Sequence, residues 1–451
     1  MDQRTTPVLD AVSATPDFGG AAPTVEQAVV HAEALLADAT GARQTVFAGC
    51  GCHVAMHAAV LAVARPGTRV AVDHSMHRSV VSGLILAGAE PVWLRPGWDP
   101  VHQINRPAGP ADVAAVLAAN PGVSAVLVRT PTVYGIGADV RTIARTCHRE
   151  GVALVVDEPD GTYFPFHPDL PTPAVQARAD LVVNTVPDGG ACPASVVLAD
   201  GGLVDPAELR RRLDLITAEN RNPAAYAAID GHRRHMVADG RRVLGEALDR
   251  VARLRARLER IPGLTVVGES VCPPDRVVEW DPLKVVVDVS ALAITGYQAQ
   301  AWLARQHQVT AGFADARRVV FPVSPSGDDA AVDRVLEALR ALAEQPPTTN
   351  GDPAHAPNAQ PARPLPTRRA MSLRDAYFAD SEPVTDPMGR ISAEMISPCP
   401  PGAPVILPGE LFTADVVLHL RQHVAAGLPV ADAGDPRLHT FRVVRASQTR
   451  N

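Results

Sequence analysis

The strongest constraint on the fold is a regular alternation of helix-like and strand-like segments between about residues 24 and 200. The strand-like runs are short and almost wholly apolar, as in TVFAG, RVAVD, SAVLV and ALVVDE. Such runs are typical of parallel strands buried on both faces, and the helices between them supply the crossover connections. The pattern therefore predicts a mostly parallel sheet covered by helices, with any ligand site at the carboxyl ends of the strands.

The composition narrows the class of protein. The chain has 451 residues, 46% of them hydrophobic, and a formal net charge of -7, so it can bury a large core, and disorder and fibrous repeats are excluded. The mild acidity argues against nucleic-acid binding. No apolar run approaches the roughly 18–20 residues that span a bilayer, and the opening MDQRTTPVLD lacks the basic and apolar regions of a signal peptide. We therefore expect a cytoplasmic protein with no membrane or nucleic-acid partner.

Composition shifts along the chain predict six parts. The connector among them is rich in arginine, and its interspersed acidic residues predict a solvated, ion-paired face. The linker is Pro-rich and of low complexity. In chain order the parts are an N-terminal segment (1–23), a large α/β domain (24–205), a helical connector (206–262), a smaller α/β domain (263–344), the linker (345–369) and a folded C-terminal extension (370–451).

Two residue counts bear on the chemistry. Six cysteines in so long a chain do not make the disulfide framework of a small secreted protein. Lysine occurs once, at Lys284, and arginine supplies all the rest of the 42 Lys and Arg residues. A coding preference for arginine explains this bias most simply. Whatever its cause, a reaction that needs a lysine amine has one candidate in this chain.

Several long strings carry a resemblance to a known family. They are VDHSMHRSVVSGLILAGAEPVWLRP, RTPTVYGIGADV, VDEPDGTYFPFHPDLP, DPLKVVVDVSALAITGYQAQAWL and GRISAEMISPCPPGAPVILPGE. In this order they resemble the ornithine, lysine and arginine decarboxylases, which have the aspartate-aminotransferase fold and depend on pyridoxal phosphate (PLP). The resemblance implies a large domain of that type with a mostly parallel sheet, a smaller α/β domain and a C-terminal extension.

The position that matters most for the family's chemistry is changed. Members hold PLP through a lysine aldimine, usually in a Ser-x-His-Lys stretch after a strand. The resemblance places Asp188 at the lysine position and Pro187 at the preceding histidine position. Lys284 matches a family lysine in the smaller domain, remote from the cofactor. An aspartate cannot form a Schiff base, so the resemblance implies that no cofactor is bound covalently.

The two stretches that the family uses around the cofactor phosphate are changed as well. A Gly-Thr-Ser-type loop at a helix N-terminus is represented here by Gly51, Cys52 and His53. The second, Ser/Thr-rich stretch matches AENRNP, residues 218–223. Both stretches have lost their hydroxyls, so only the helix terminus and its backbone N–H groups remain to bind an anion.

Other elements of the family's cofactor site are retained. Asp157 matches the aspartate that pairs with the pyridinium nitrogen, and His77 matches the histidine that stacks on the ring. The loop that carries Thr132 keeps the family's shape. We therefore expect Gly51, Cys52, His77, Thr132 and Asp157 to form a vestigial PLP site. The alternative is a structural role, in which Asp157 bonds its own loop and His77 is simply packed.

Three functions are open at this point. The first is a pseudoenzyme that forms a homodimer, or a heterodimer with an intact paralogue, and acts as a partner or regulator. The second is an enzyme of the same family that holds pyridoxal or pyridoxamine phosphate noncovalently, with Asp188 as general base. The third is a zinc site made by Cys50, Cys52, His53 and His57, with Cys192 nearby.

The zinc interpretation is the weakest of the three, because C-x-C-H is not a usual zinc spacing and a small cysteine at the start of an alanine-rich helix is most often only packed. No metal site is predicted. Cys52 has a further expected property, since a thiol near a helix N-terminus has a lowered pKa and is reactive. Longer family members also begin with a Pro-Gly-His-Lys-Gly-type segment, and this sequence starts after it. Two explanations are open: a misassigned start codon, or a true absence, which would remove part of the family's usual dimer contact.

Overall fold

A computed structural model describes residues 24–95, 97–186, 194–200, 202–218, 222–269, 272, 279–346, 365, 367–399 and 402–448. Its main feature is a seven-stranded sheet with the strand order β1-β9-β8-β7-β6-β2-β3. The strands are β1 (Gln44–Ala48), β2 (Arg69–Asp73), β3 (Glu90–Leu94), β6 (Val123–Arg129), β7 (Ala153–Asp157), β8 (Leu181–Val186) and β9 (Ala194–Ala199), and the short strands β4 (Trp98–Asp99) and β5 (Ile104–Asn105) form a separate pair.

The sheet is parallel from β3 through β8, and β9 runs antiparallel to both of its neighbours, β8 and β1. Strands β1, β2, β6, β7 and β8 therefore end at the same edge. This confirms the predicted mostly parallel sheet, and it places the loops that follow these five strands side by side.

Helices cover both faces of the sheet. They are α1 (Val25–Thr40), α2 (Cys52–Val63), α3 (Arg78–Ala87), α4 (Pro110–Ala119), α5 (Val140–Arg149), α6 (Pro206–Thr217) and α7 (Pro223–Leu258). On β6, Val126 and Val128 belong to the core that includes α1, α4 and α5, whereas Leu127 belongs to the core that includes α2, α3 and α6. Successive side chains of a strand point to opposite faces, so an apolar run buries both sets.

The smaller domain is built on a four-stranded antiparallel sheet. Its strands are β10 (Thr265–Val267), β11 (Lys284–Asp288), β12 (Phe313–Ala314) and β13 (Arg318–Pro322), in the order β10-β11-β13-β12. Helices α8 (Gly296–His307) and α9 (Asp329–Glu344) pack on it and share its apolar core.

The C-terminal extension has a core of its own, which includes Ile396, Phe412, Leu420 and Phe441. Its elements are α10 (Leu373–Phe378), β14 (Ser381–Val384), β15 (Ser397–Pro398), α11 (Ala414–Ala425), β16 (Val430–Ala431) and β17 (Phe441–Val444). An ion pair of 2.6 Å between Arg78 and Asp432 fixes the extension to the first turn of α3.

The connector confirms the predicted ion-paired face only in part. Arg242 pairs with Glu246 at 2.9 Å and Arg257 with Asp333 at 2.6 Å, both at exposed positions. Arg233, however, is completely buried with Asp230 on the inner face of α7. Segment 1–23 and most of the linker 345–369 lie outside the described residues, and the domain boundaries stay predictions. Among the described residues, no helix combines the length and apolarity that a bilayer crossing needs.

Candidate functional site

The loops at the carboxyl edge of the large sheet bring together most of the residues that the sequence singles out. Gly51 and Cys52 follow β1, His77 follows β2, Thr132 follows β6, and Asp157 is the last residue of β7. Between β8 and β9 the chain contains Pro187, Asp188 and Cys192, which lie outside the described residues. Glu219 to Arg221, of the second phosphate stretch, lie outside the described residues as well. Position 188 is nevertheless preceded by β8, which ends at this same edge.

The first loop turns directly into a helix. Gly51 caps α2 with a φ of 88°, a value that glycine adopts without strain, and no side chain caps this helix end. The helix begins with Cys52, so its first backbone N–H groups have no intrahelical partner, as at any helix start. The helix N-terminus that was expected to bind an anion therefore offers backbone N–H groups, whereas Gly51 and Cys52 supply no hydroxyl group.

Cys52 differs from the prediction of a reactive thiol. Burial raises its pKa, and a side-chain hydrogen bond with Thr185, which favours the thiolate, only partly opposes that effect. The nearby Asp157 carboxylate raises the pKa further. The expected lowering was wrong, because position in the chain shows the helix terminus but not how far the thiol is withdrawn from water.

His77 is fixed as the N-cap of α3. Its Nδ1 accepts a hydrogen bond from the Ser79 backbone N–H at 3.2 Å and lies 3.1 Å from Ser79 Oγ. Burial, together with the charges of His53 and Arg129, lowers the pKa of His77 to about 3. The ring is therefore neutral at pH 7, and its plane is held in place by the helix start.

The His53 ring stacks on His77. The two ring centroids are 4.6 Å apart and the planes are 7° from parallel. Gly402, from the C-terminal extension, lies beside the same His77 ring, since a Cβ added at this glycine would be 3.4 Å from His77 Cδ2. His77 is thus enclosed by groups of this chain, and the sequence pattern did not indicate either contact.

Asp157 faces a cation from the neighbouring strand. Arg129 ends β6, and its Nη1 lies 3.8 Å from Asp157 Oδ2, with the two side chains 20% and 14% exposed. Burial raises the pKa of Asp157, and the Arg129 guanidinium lowers it. Arg129 was missed from the sequence, although an arginine at the end of the otherwise apolar strand SAVLVR was a usable signal.

Thr132 has a structural use for its hydroxyl. Its Oγ1 accepts a hydrogen bond from the Ile136 backbone N–H at 3.2 Å, and Thr130 Oγ1 likewise accepts one from Ala138 at 2.8 Å. The two threonines thereby shape the loop that the resemblance identified. Asn222, in the second phosphate stretch, accepts a hydrogen bond from Ala225 and so caps α7.

Lys284 is committed to an ion pair between the two domains. Its Nζ donates to Asp160 Oδ2 at 2.6 Å, and the lysine side chain is only 12% exposed. Asp160 lies three residues beyond Asp157 in the same loop, and its charge raises the pKa of Asp157. The one lysine of the chain therefore reaches the loop after β7, close to residues that the sequence analysis regarded as remote from it.

The cysteine and histidine residues of the first loop do not form a metal site in the part of the chain that the structure describes. No three His, Cys, Asp or Glu side chains there lie close enough together to hold a metal ion. Burial raises the pKa of Cys50 and lowers that of His57. Cys192, the third proposed thiol, is outside the described residues.

Comparison of the fold with solved structures defines the class of protein. E. coli constitutive lysine decarboxylase matches with a TM-score of 0.73 and 14% identity, covering 98% of this chain and 74% of that one. Sphingomonas wittichii serine palmitoyltransferase matches with a TM-score of 0.53 and 16% identity, covering 69% and 75%. The chain therefore has the aspartate-aminotransferase-like fold.

Sequence comparison defines the family. The model of the Orn/Lys/Arg decarboxylase major domain matches residues 24–279, and that of the C-terminal domain matches 367–426. The arginine decarboxylase of Halalkalibacterium halodurans is 31% identical over 421 residues, which is 92% of this chain and 85% of the relative. That of Bacillus subtilis is 29% identical with the same coverage. The chain belongs to the Orn/Lys/Arg decarboxylase family.

The described residues do not fit PLP held in the manner that the resemblance implies. One face of His77 is covered by His53, and Asp157 already faces the Arg129 cation. The first turn of α2 carries Cys52 and His53, at positions that the resemblance matches to hydroxyl residues of the family. Lys284 comes from β11 rather than from the strand that precedes position 188. The groups that would face a cofactor therefore contact one another instead.

Proposed function

We propose that this chain is a non-catalytic member of the basic amino acid decarboxylase family that acts as a partner or regulatory subunit. The observation that carries the proposal is the ion pair of its only lysine, Lys284, with Asp160 at 2.6 Å. The position that the resemblance matches to the family's lysine holds Asp188 instead. Without an amine at that position, the family's route to a covalently held cofactor is closed.

The remaining site residues support the same conclusion. An unpaired buried polar group destabilises the folded state. A site that no longer binds a ligand therefore stays folded when its polar groups bond with other groups of the protein. Asp157 faces Arg129, Cys52 bonds with Thr185, and His77 bonds with Ser79. We infer that the fold is kept for association with another subunit of the same fold, as a homodimer or as a heterodimer with an intact paralogue, in the cytoplasm.

A titration with PLP tests the catalytic half of this proposal. The purified protein is incubated with PLP, desalted and examined by absorbance, then by intact mass with and without borohydride. We expect no reducible adduct and no CO2 release from arginine, lysine or ornithine. A borohydride-fixed adduct on Lys284, or turnover by the purified chain alone, would contradict the proposal. The positive control is an intact arginine decarboxylase of the family, treated in parallel.

Native mass spectrometry tests the assembly half. This chain is measured alone and after co-expression with an intact family member. The proposal expects a dimer in at least one of the two samples and a change in the partner's CO2 release when a heterodimer forms. A strictly monomeric chain in both samples would remove the partner role and leave only the loss of catalysis.

The second candidate function is catalysis with noncovalently held pyridoxal or pyridoxamine phosphate. It is favoured by the retention of Asp157 and His77 at one edge of the sheet. In that case the desalted protein retains a chromophore that borohydride does not attach to the chain, and it releases CO2 from a basic amino acid. The Asp188→Asn variant then keeps the chromophore and loses turnover, because the amide cannot act as general base.

A further inference from the structure

The His53 side chain makes two interactions that the resemblance assigns to the ring of a bound cofactor. It stacks on His77 with centroids 4.6 Å apart and planes within 7°. Its charge also favours the ionised form of the Asp157 carboxylate. A pyridine ring that stacks on His77 would need an aromatic face of the same imidazole, so the His53 ring and such a ring compete for one stacking partner.

The backbone leaves His53 little choice of position. It is the second residue of α2, directly after Cys52, and the helix start is set by Gly51 at a φ of 88°. Its partner is equally fixed, since His77 Nδ1 is bonded to Ser79 as the N-cap of α3. The stacked geometry therefore joins two helix starts, and only rotation of the His53 side chain about its own bonds opens it.

We propose that His53 is an internal competitor that occupies the ring position of the vestigial cofactor site and keeps aromatic aldehyde phosphates, such as PLP, from stacking on His77. This inference rests on the proposed non-catalytic function and names the residue that closes the site. It differs from loss of the lysine, because it concerns noncovalent entry of the ring and not its covalent attachment.

The competition is reversible. His53 is an exposed side chain at the surface of the site, and no described hydrogen bond of its side chain holds it over His77. An aromatic pair contributes a modest stabilisation, so its removal is expected to raise the affinity for a competing ring by about threefold to tenfold. Such a change is measurable even if the affinity of the wild type is weak, because the two proteins are compared directly.

Equilibrium dialysis against PLP tests this inference on the full-length protein. The variants are His53→Ala, which removes the ring without adding a hydroxyl, and His53→Phe, which keeps an aromatic ring without the charge. His57→Ala is the matched control, since it removes a histidine one turn later on the same helix that does not stack on His77. Thermal unfolding by circular dichroism checks that each variant folds, and borohydride treatment with intact mass shows that the bound PLP is not a lysine adduct.

The expected result is about threefold to tenfold tighter PLP binding by His53→Ala, with His53→Phe and His57→Ala like the wild type. The gain should disappear in the double variant His53→Ala/His77→Ala, because the stacking surface is then absent. Equal affinity of His53→Ala and the wild type would overturn the inference. So would an equal gain in His53→Phe, because it would show that the charge and not the ring excludes the cofactor.

These outcomes separate the inference from the proposed function. If the wild type binds PLP as tightly as His53→Ala and releases no CO2, the competitor role fails and the non-catalytic role stands. If the wild type releases CO2 from a basic amino acid, the non-catalytic role fails whatever the binding ratio. If His53→Ala binds PLP more tightly and still releases no CO2, both proposals are supported.

Discussion

The interior of the large sheet and its carboxyl edge differ in the kind of side chain that they hold. In the interior, Val126, Leu127, Val155 and Val156 are completely buried and apolar, as a parallel sheet with helices on both faces requires. At the edge the side chains are polar and interact in two pairs, Arg129 with Asp157 and His53 with His77. The difference shows that packing which maintains a fold does not depend on the chemistry of the loops above it, so family membership and catalytic competence are separate conclusions.

The largest expected effect tests the interior side of this comparison. Leu127→Ala removes a fully buried side chain from the core of β6, and we expect a loss of about 2–5 kcal/mol in the free energy of unfolding. His53→Ala, at the edge, should cost less than about 1.5 kcal/mol. Urea unfolding curves of both variants measure the difference. Similar losses for the two substitutions would contradict the division between interior and edge.

Glu158 provides a pH-dependent test one residue beyond Asp157. It is 2% exposed, its Oε1 accepts a hydrogen bond from Ala174 at 2.9 Å, and burial raises its pKa from 4.5 to about 8. Between about pH 4.5 and 8 the Glu158 carboxyl is thus protonated in the folded state and ionised in the unfolded state. The stability that this bound proton contributes is complete below pH 4.5 and is lost as the pH rises through 8.

We therefore expect the unfolding free energy of the wild type to fall between pH 5 and 8 by at most about 1.4 kcal/mol per pH unit from this group. Glu158→Gln, which cannot ionise, should show a shallower fall across the same range. Urea unfolding at pH 5, 6, 7 and 8 gives both slopes. Parallel slopes for the two proteins would mean that Glu158 is ionised in the folded protein.

A smaller effect is expected at the contact between the domains. Tyr134 Oη donates to Asp315 Oδ2 at 2.7 Å, and the partly buried tyrosine thereby joins the large and small domains. Tyr134→Phe removes this hydrogen bond while Arg318 still pairs with Asp315, so the cost should be about 1 kcal/mol. Tyr377→Phe, at an exposed position, is the matched control and should change stability by less than about 0.5 kcal/mol. Equal effects of the two substitutions would show that the buried hydrogen bond contributes nothing.

The smallest expected effect is on catalysis. Asp188→Lys places an amine at the position that the resemblance matches to the family's lysine, but it leaves Cys52 and His53 at the positions matched to the phosphate-binding hydroxyls. We expect no CO2 release from arginine, lysine or ornithine above that of the wild type. A radiometric assay with an intact arginine decarboxylase as positive control measures this. Robust turnover by Asp188→Lys alone would show that the edge has lost one residue rather than a whole site.

Much of the fold was predictable because its signals are local. Thr24 followed three residues later by Gln27 is a sequence signal for a helix start, and in the structure the Thr24 side chain accepts a hydrogen bond from the Gln27 backbone N–H in a capping box. The apolar runs predicted the strands of the large sheet, and the described residues that were named for the site lie at the carboxyl ends of β1, β2, β6 and β7 or shortly after them. Each of these conclusions needs only the order of residue types over one or two turns or strands.

The partners of the site residues were not predictable in the same way. Arg129 meets Asp157 because β6 and β7 are neighbours and pair Arg129 with Asp157 in register, which is a property of the sheet order. Lys284 meets Asp160 across 124 residues because the small domain lies against the large one. The pKa of Cys52 depends on burial, which the sequence around one helix start does not reveal. Such contacts depend on tertiary structure rather than on spacing along the chain.

The antiparallel strand β9 makes the pairing of the sheet independent of the residue at position 188. It pairs with β8 over six consecutive positions, from Leu181 with Ala199 to Val186 with Ala194, and position 188 lies in the connection between these two strands. A substitution there alters none of the paired residues, and the neighbouring strand β1 is aligned by β9 independently of that connection. The pairing of β8, β9 and β1 therefore does not depend on which side chain stands at position 188.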